Sequence, residues 1–181
     1  MSFISKLAPL LAAFAVVLAA GAVETWGDGD AAEDSVKTRT FASKEFAFTI
    51  DTTDFPVEQP FKTITVVKSL AEEPVGGFMP NVNVLVQMQE TTVEGYMATT
   101  KDELKGLGFE MVEIKPIDHA GKKCMWGEYK GEMGGVELHF LALAIVLEDR
   151  VILATGTAAE KDFDKVEAKL EKAVKSLNLL A

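Results

Sequence analysis

The stretch that most constrains this chain is Val136 to Leu177, which holds two long apolar runs, Val136 to Leu147 and Val151 to Thr157, separated by Glu148-Asp149. Both runs are apolar at odd and even positions alike. A strand with one wet face would alternate, so the pair predicts a hairpin at the centre of a sheet covered on both sides. Only Glu137 and His139 interrupt the first run. From Lys161 to Leu177, the residues Phe163, Val166, Leu170, Val174 and Leu177 fall on one helical stripe among lysines and glutamates, which predicts a single amphipathic helix docked on one face. The Thr91-to-Leu107 segment is the candidate cover for the other face. Thr91 and Glu94 have the spacing of a capping box. Val93, Met97, Thr100, Leu104 and Leu107 follow at helical spacing, and Gly108 suits a left-handed terminator.

The remaining order is strand traffic. Phe46 to Asp51 alternates, Lys62 to Leu70 is rich in β-branched residues, and Val82 to Gln89 alternates again. Phe109 to Pro116 and Cys124 to Met133 read as further strands, with turns at Gly121 and at Gly134-Gly135. The expected class is α+β, an antiparallel β-sheet flanked by helices as an α/β/α sandwich.

Ahead of the strands, Lys6 and the apolar run Leu7 to Ala20 have the form of a signal peptide. The run is shorter than the roughly 20 residues that span a bilayer. Ala20-Gly21-Ala22 offers the small-x-small pattern of a cleavage site, so residues 1–22 are expected to be a signal peptide cleaved after Ala22; a retained anchor is the alternative. Residues 23–40, rich in Gly, Asp, Ala and Glu around Trp26, read as a flexible spacer, and 41–181 as one domain. These segments predict an exported protein, periplasmic or extracellular after cleavage.

The formal net charge of −10 repels phosphate backbones and anionic headgroups, so neither nucleic acid nor stable membrane insertion is expected. With Cys124 as the single cysteine there is no intramolecular disulfide, and the core alone must stabilise the fold. Cys124 lies in a strand-like run, where a small buried residue is the ordinary reading and a reactive thiol the sharper one.

No nucleotide-binding glycine loop, nucleophile elbow, paired Cys-x-x-Cys or His-Glu-x-x-His is present. His119, His139 and Cys124 could form a metal set in principle, but His119 falls in a turn and His139 shares strand parity with Leu141 and Leu143. Glu72-Glu73 and Glu148-Asp149 lack the spacing of a calcium loop. No catalytic residue, metal or cofactor is expected. The best binding candidate is the loop Gly76, Gly77, Phe78, Met79 and Pro80, because aromatic and thioether side chains on a loop are suited to contact; the alternative is that Phe78 folds back over the core.

The Phe46-to-Asp51 strand, the Asn81-Val82-Asn83-Val84 strand, the Thr-capped helix around Tyr96, the Gly121 turn before Cys124 to Gly131, and Val151 to Thr157 leading into a Phe163-led helix together resemble the PsbP-like superfamily, the group of PsbP, the Ran-binding import factor of that fold and DcrB. The resemblance spans Phe41 to Leu179. It implies an antiparallel sheet flanked by helices and a binding or assembly accessory in place of an enzyme. The expected function is therefore an exported, non-catalytic binding or accessory protein with a protein or envelope partner. A small-molecule or lipid carrier with a cavity between sheet and helix is the second expectation, and a Cys124/His139-dependent enzyme the third.

Overall fold

The computed structural model describes residues 40–43, 47–55, 57–58 and 65–180. The expected signal peptide, and the spacer apart from Thr40, lie outside the described residues.

The central hairpin forms as its composition requires. β8 (Val136–Val146) and β9 (Arg150–Ala159) pair antiparallel, with Glu148-Asp149 as the turn and the Leu147 N–H donating to the Arg150 carbonyl at 2.8 Å. Around them stand β3 (Val57–Glu58), β4 (Thr65–Leu70), β5 (Asn81–Met88), β6 (Glu110–His119) and β7 (Lys122–Met133). The resulting seven-stranded sheet has the order β3-β4-β5-β9-β8-β7-β6, with every pair antiparallel. β1 (Thr40–Ser43), β2 (Phe48–Asp51) and β10 (Asn178–Leu179) form a separate three-stranded sheet, order β1-β2-β10. The β6–β7 turn is Ala120-Gly121, both at positive φ, and Gly134-Gly135 repeats that geometry between β7 and β8. Such two-residue turns carry the twist of the flanking strands.

Each face of the large sheet carries its own core. Val84, Ile152, Leu143 and Trp126 project to one face, beneath α2 (Glu167–Lys175). Leu85, Leu153, Phe140 and Tyr129 project to the other, beneath α1 (Val93–Gly106). β8 is buried from Leu138 to Ile145 without a break, as expected of a strand covered on both sides. α2 comes close to the sheet at Gly156. A Cβ there would lie 3.1 Å from Val174 Cγ2 and 3.2 Å from Leu170 Cδ2, so the absent side chain sets the helix height.

Three local expectations are corrected. The cap of α1 is Thr92, whose Oγ1 accepts from the Gly95 N–H at 3.0 Å, while Thr91 lies outside the helix. With Thr92 as cap the third helical position is Gly95, which cannot reach back, so no capping box closes. The far end behaves as expected: Gly108 takes φ +76, its N–H donates to Lys105, and Phe109 donates to Leu104, closing a Schellman motif. The strand expected from Phe46 begins at Phe48, because Ala47 is at φ +56; Phe46 lies outside the described residues. The single final helix is two pieces, a 3-10 helix (Glu160–Lys165) and α2, jointed at Val166 with φ −125. The apolar stripe survives the joint, since Phe163, Val166, Leu170, Val174 and Leu177 are all buried. Burying these five side chains is worth on the order of 10 kcal/mol before chain entropy.

Candidate functional site

A cleft lies between the β6–β7 strands and the side of α2. Its volume is ≈ 330 Å³, and its walls are Glu113, Lys115 and Ile117 from β6, Trp126 and Glu128 from β7, Leu141 from β8, and Glu167, Glu171 and Lys175 from α2. The sequence places these groups through two periods. Alternation sends Glu113, Lys115 and Ile117 to one face of β6, and helical spacing brings Glu167, Glu171 and Lys175 to one side of α2. Trp126 forms an apolar wall with Ile117 and Leu141.

The charges in the cleft are partly paired. Lys115 bonds Glu113 at 2.7 Å, and Lys175 bonds Glu171 four residues earlier. The same Lys175 ammonium lies 4.9 Å from the Trp126 ring centroid, a cation–π contact. Glu128 and Glu167 have no lysine or arginine partner within ion-pair distance among the described residues.

Glu128 joins the cleft to a polar chain behind it. Its Oε1 is 2.9 Å from His139 Nε2, and His139 Nδ1 is 2.8 Å from Glu160 Oε2. The Nδ1 contact is within ion-pair distance but makes no well-aligned hydrogen bond. Lys130 donates to Glu160 Oε1 at 2.6 Å, and the His139 ring stacks on Phe163 at 3.5 Å. Burial works against ionising Glu160, but the Lys130 hydrogen bond and nearby His139 outweigh it and hold the carboxyl below its usual range. The hydrogen bond from Glu160 raises the Lys130 ammonium in turn.

These shifts fix a pH dependence. Glu160 contributes stability above its unfolded pKa of about 4.3 and loses it as pH falls through the depressed folded value; Lys130 contributes below about 10.4 and loses it as pH rises through the raised value. In urea unfolding from pH 3 to 11, the stability gap between wild type and Lys130→Met is expected to be flat across neutral pH and to close at both ends. A gap unchanged at both ends of the range would show that the pair contributes nothing through charge.

The structure brings His119 and Cys124 together, with the Cys124 Sγ 3.8 Å from the His119 carbonyl oxygen, and separates both from His139. Cys124 faces Ile145 and His139 faces Lys130, six positions apart along β8, or roughly 20 Å at the usual strand rise. Cys124 is fully buried, and burial pushes its thiol pKa up, the wrong direction for a nucleophile. The His119 side chain is turned to the end of the last helix, with Nε2 2.7 Å from the Leu177 carbonyl oxygen. No group of three or more metal-ligating side chains occurs among the described residues. Nor does any described helix have the length and apolarity to cross a membrane.

The loop Gly76–Pro80 is compact. Val75 and Phe78 exchange backbone hydrogen bonds, and Phe78 lies half-buried against the α1-side core, as in the folded-back alternative. Met79 is half-buried and Pro80 buried, so Gly76 and Gly77 are the exposed part. Asp162 presses on Gly76, with Oδ2 1.5 Å from where a Cβ would stand. Sequence reading missed the cleft because its walls join three consecutive strands to a helix that only the tertiary packing brings alongside them. The one available signal was Trp126, a large aromatic next to Glu128 in a strand otherwise read as structural.

No protein-family model and no curated protein matches this chain. Solved structures do match. Cyanobacterial PsbP (CyanoP) from Synechocystis sp. PCC 6803 superposes with a TM-score of 0.52 at 14% identity, covering 84% of this chain and 98% of its own. The fold is PsbP-like. The same PsbP-like arrangement relates the chain to LpqN of Mycobacterium tuberculosis, described as involved in cell envelope biogenesis, with a TM-score of 0.55 at 12% identity over 82% of this chain and 93% of LpqN. It also relates it to PA94 of Pseudomonas aeruginosa, a protein of unknown function, with a TM-score of 0.57 at 12% identity over 77% and 94% of the two chains. At these identities the likeness is one of PsbP-like architecture.

Proposed function

We propose that this PsbP-like domain is an exported, non-catalytic binding protein whose cleft between β6, β7 and α2 receives a basic side chain of a partner protein at the cell envelope. The observation that carries this reading is the Lys175 ammonium seated over Trp126 inside a cleft with surplus carboxylates. The aromatic face already accepts a cation from its own chain, and Glu128 and Glu167 provide charge for a second. Edge pairing is a weaker route, because β6 carries Lys115, Pro116 and a bulge between Met111 and Glu113, features that discourage strand addition. The envelope role described for LpqN is consistent with this assignment. The exposed Gly76–Gly77 tip of the β4–β5 loop is the second contact surface.

Crosslinking in the exported compartment followed by mass spectrometry tests the reading. Wild type is expected to capture a protein through cleft residues, and Glu167→Lys to weaken that capture about tenfold, equivalent to about 1.4 kcal/mol. Lys175→Met is expected to strengthen it by vacating the Trp126 face. Equal capture by wild type and Glu167→Lys would remove the cleft from the interface.

A further inference from the structure

Glu128 is a wall of the cleft and also the first member of the polar chain that runs through His139 to Glu160. His139 is buried, and its ring stacks on Phe163 at 3.5 Å with the planes 15° apart, so a change in its charge is not relieved by turning out to water. Both ring nitrogens face carboxylate oxygens, Nε2 at 2.9 Å from Glu128 Oε1 and Nδ1 at 2.8 Å from Glu160 Oε2. An imidazolium presents an N–H on each side. A neutral ring has one N–H, and the nitrogen that loses its proton turns a lone pair toward a carboxylate.

The charged groups around the ring decide which carboxylate feels that loss. β7 contributes Glu128 and Lys130, the residue directly across from His139. The 3-10 helix contributes Glu160, beside the uncharged Phe163. β9 sets Ala158 opposite the ring and adds no charge, and on β8 itself the same face carries the exposed Glu137. Farther out, β6 sets Glu113 opposite Glu128 and Glu110 opposite Lys130, and α2 brings Glu167 to the cleft. Glu160 has a cation of its own in Lys130, at 2.6 Å. Glu128 has only His139, with no lysine or arginine within ion-pair distance among the described residues. A proton leaving His139 therefore uncovers the charge of Glu128, and that carboxylate lines the cleft.

We infer that His139 is a proton switch for the cleft: protonated, it neutralises Glu128 and weakens the hold on a basic side chain, and neutral, it leaves that charge to the incoming cation. The inference rests on the cleft's reading as a receptor for a basic side chain and adds its regulation. Histidine is the side chain that ordinarily changes charge between about pH 5 and 8, while free carboxyl and lysyl groups titrate outside that window. Binding of a cation is therefore expected to strengthen as pH rises. The coupling is reciprocal, so a cation seated between Glu128 and Trp126 favours loss of the His139 proton, and capture within that window releases a proton.

The test is an NMR titration of the full chain with N-acetyl-L-arginine methylamide, whose charge is constant over this window, read on the Trp126 indole N–H at about pH 5.5 and 7.5. In wild type the Kd is expected to be about three- to tenfold lower at the higher pH, the scale of one unit charge acting across a partly solvated site. His139→Gln is expected to flatten that dependence. His119→Gln, which removes the other of the chain's two histidines, is expected to retain it. Should His139→Gln not fold, Glu128→Gln serves, with weaker binding at pH 7.5 and the same flat profile expected. Equal Kd values at the two pH values in wild type would overturn the switch and leave the cleft as a receptor intact. So would a dependence that survives His139→Gln or Glu128→Gln, or one that is lost with His119. No saturable binding of the probe at either pH would overturn the receptor reading itself and the switch with it.

Discussion

Replacing Phe140 by alanine is expected to cost about 3–5 kcal/mol of stability, read as a lower urea midpoint at an unchanged slope. The ring is 1% exposed at the centre of the α1-side core. It stacks on Tyr129 at 5.0 Å and on Phe109 at 5.8 Å, so its loss empties a site that three strands and a helix terminus share. Tyr129 and Phe109 are fixed from opposite directions, one by β7 and the other by the Schellman turn that ends α1, and neither can collapse into the gap. A cost near 1 kcal/mol would mean that the core relaxes around the cavity and that the aromatic cluster is not rigid. Far-UV circular dichroism is expected to remain native, because the hairpin ladder does not depend on this ring.

Gly131→Ala is the second large effect, and it acts on the same cluster from the other side. A Cβ on Gly131 would stand 2.4 Å from Phe109 Cδ1 and 2.6 Å from Cε1, inside any real contact distance. The expected cost is about 1–3 kcal/mol from overpacking. Phe109→Leu is expected to recover part of that cost in the double variant, giving a coupling energy of at least about 0.5 kcal/mol in a thermodynamic cycle. Strict additivity of the two substitutions would show that Gly131 is there for another reason.

Gly131 also shows where sequence reading stops. It sits mid-strand with no turn signal beside it, and only the arrival of Phe109 from the end of α1 explains it. The glycines at 121, 134 and 135 were legible because two-residue hairpins demand positive φ at the turn itself, a local requirement. The stripe from Phe163 to Leu177 was legible for a similar reason, yet the break at Val166 was not. A spacing of three between Phe163 and Val166 suits a 3-10 helix as well as an α-helix, and the structure takes the 3-10 form from Glu160 to Lys165. The α1 cap moved from Thr91 to Thr92 by an equally small margin, since adjacent threonines present the same hydroxyl and only the helix register chooses between them.

The candidate sites divide in the same way. His139 read as a structural residue in an apolar run, and its strand parity was correct, but its contacts with Glu128 and Glu160 come from a neighbouring strand and from the 3-10 helix. Phe78 read as an exposed anchor or a folded-back one, and the choice lay with the α1-side core. The cleft could not be read at all, because it is closed by a helix that only tertiary packing brings to the β6–β7–β8 strands.

By itself the sequence determined the central hairpin, the two helical covers, the antiparallel order and the absence of a disulfide, because hydrophobic period, turn chemistry and cysteine count act within a few residues of chain. The tertiary structure alone decided which polar groups meet: Lys175 over Trp126, His139 between two carboxylates, and Asn81 and Asn83 facing Thr157 and Thr155 in the buried part of the sheet. Those meetings depend on strand pairing and helix height, which are set by the summed packing of two cores and which the period of either element alone does not give.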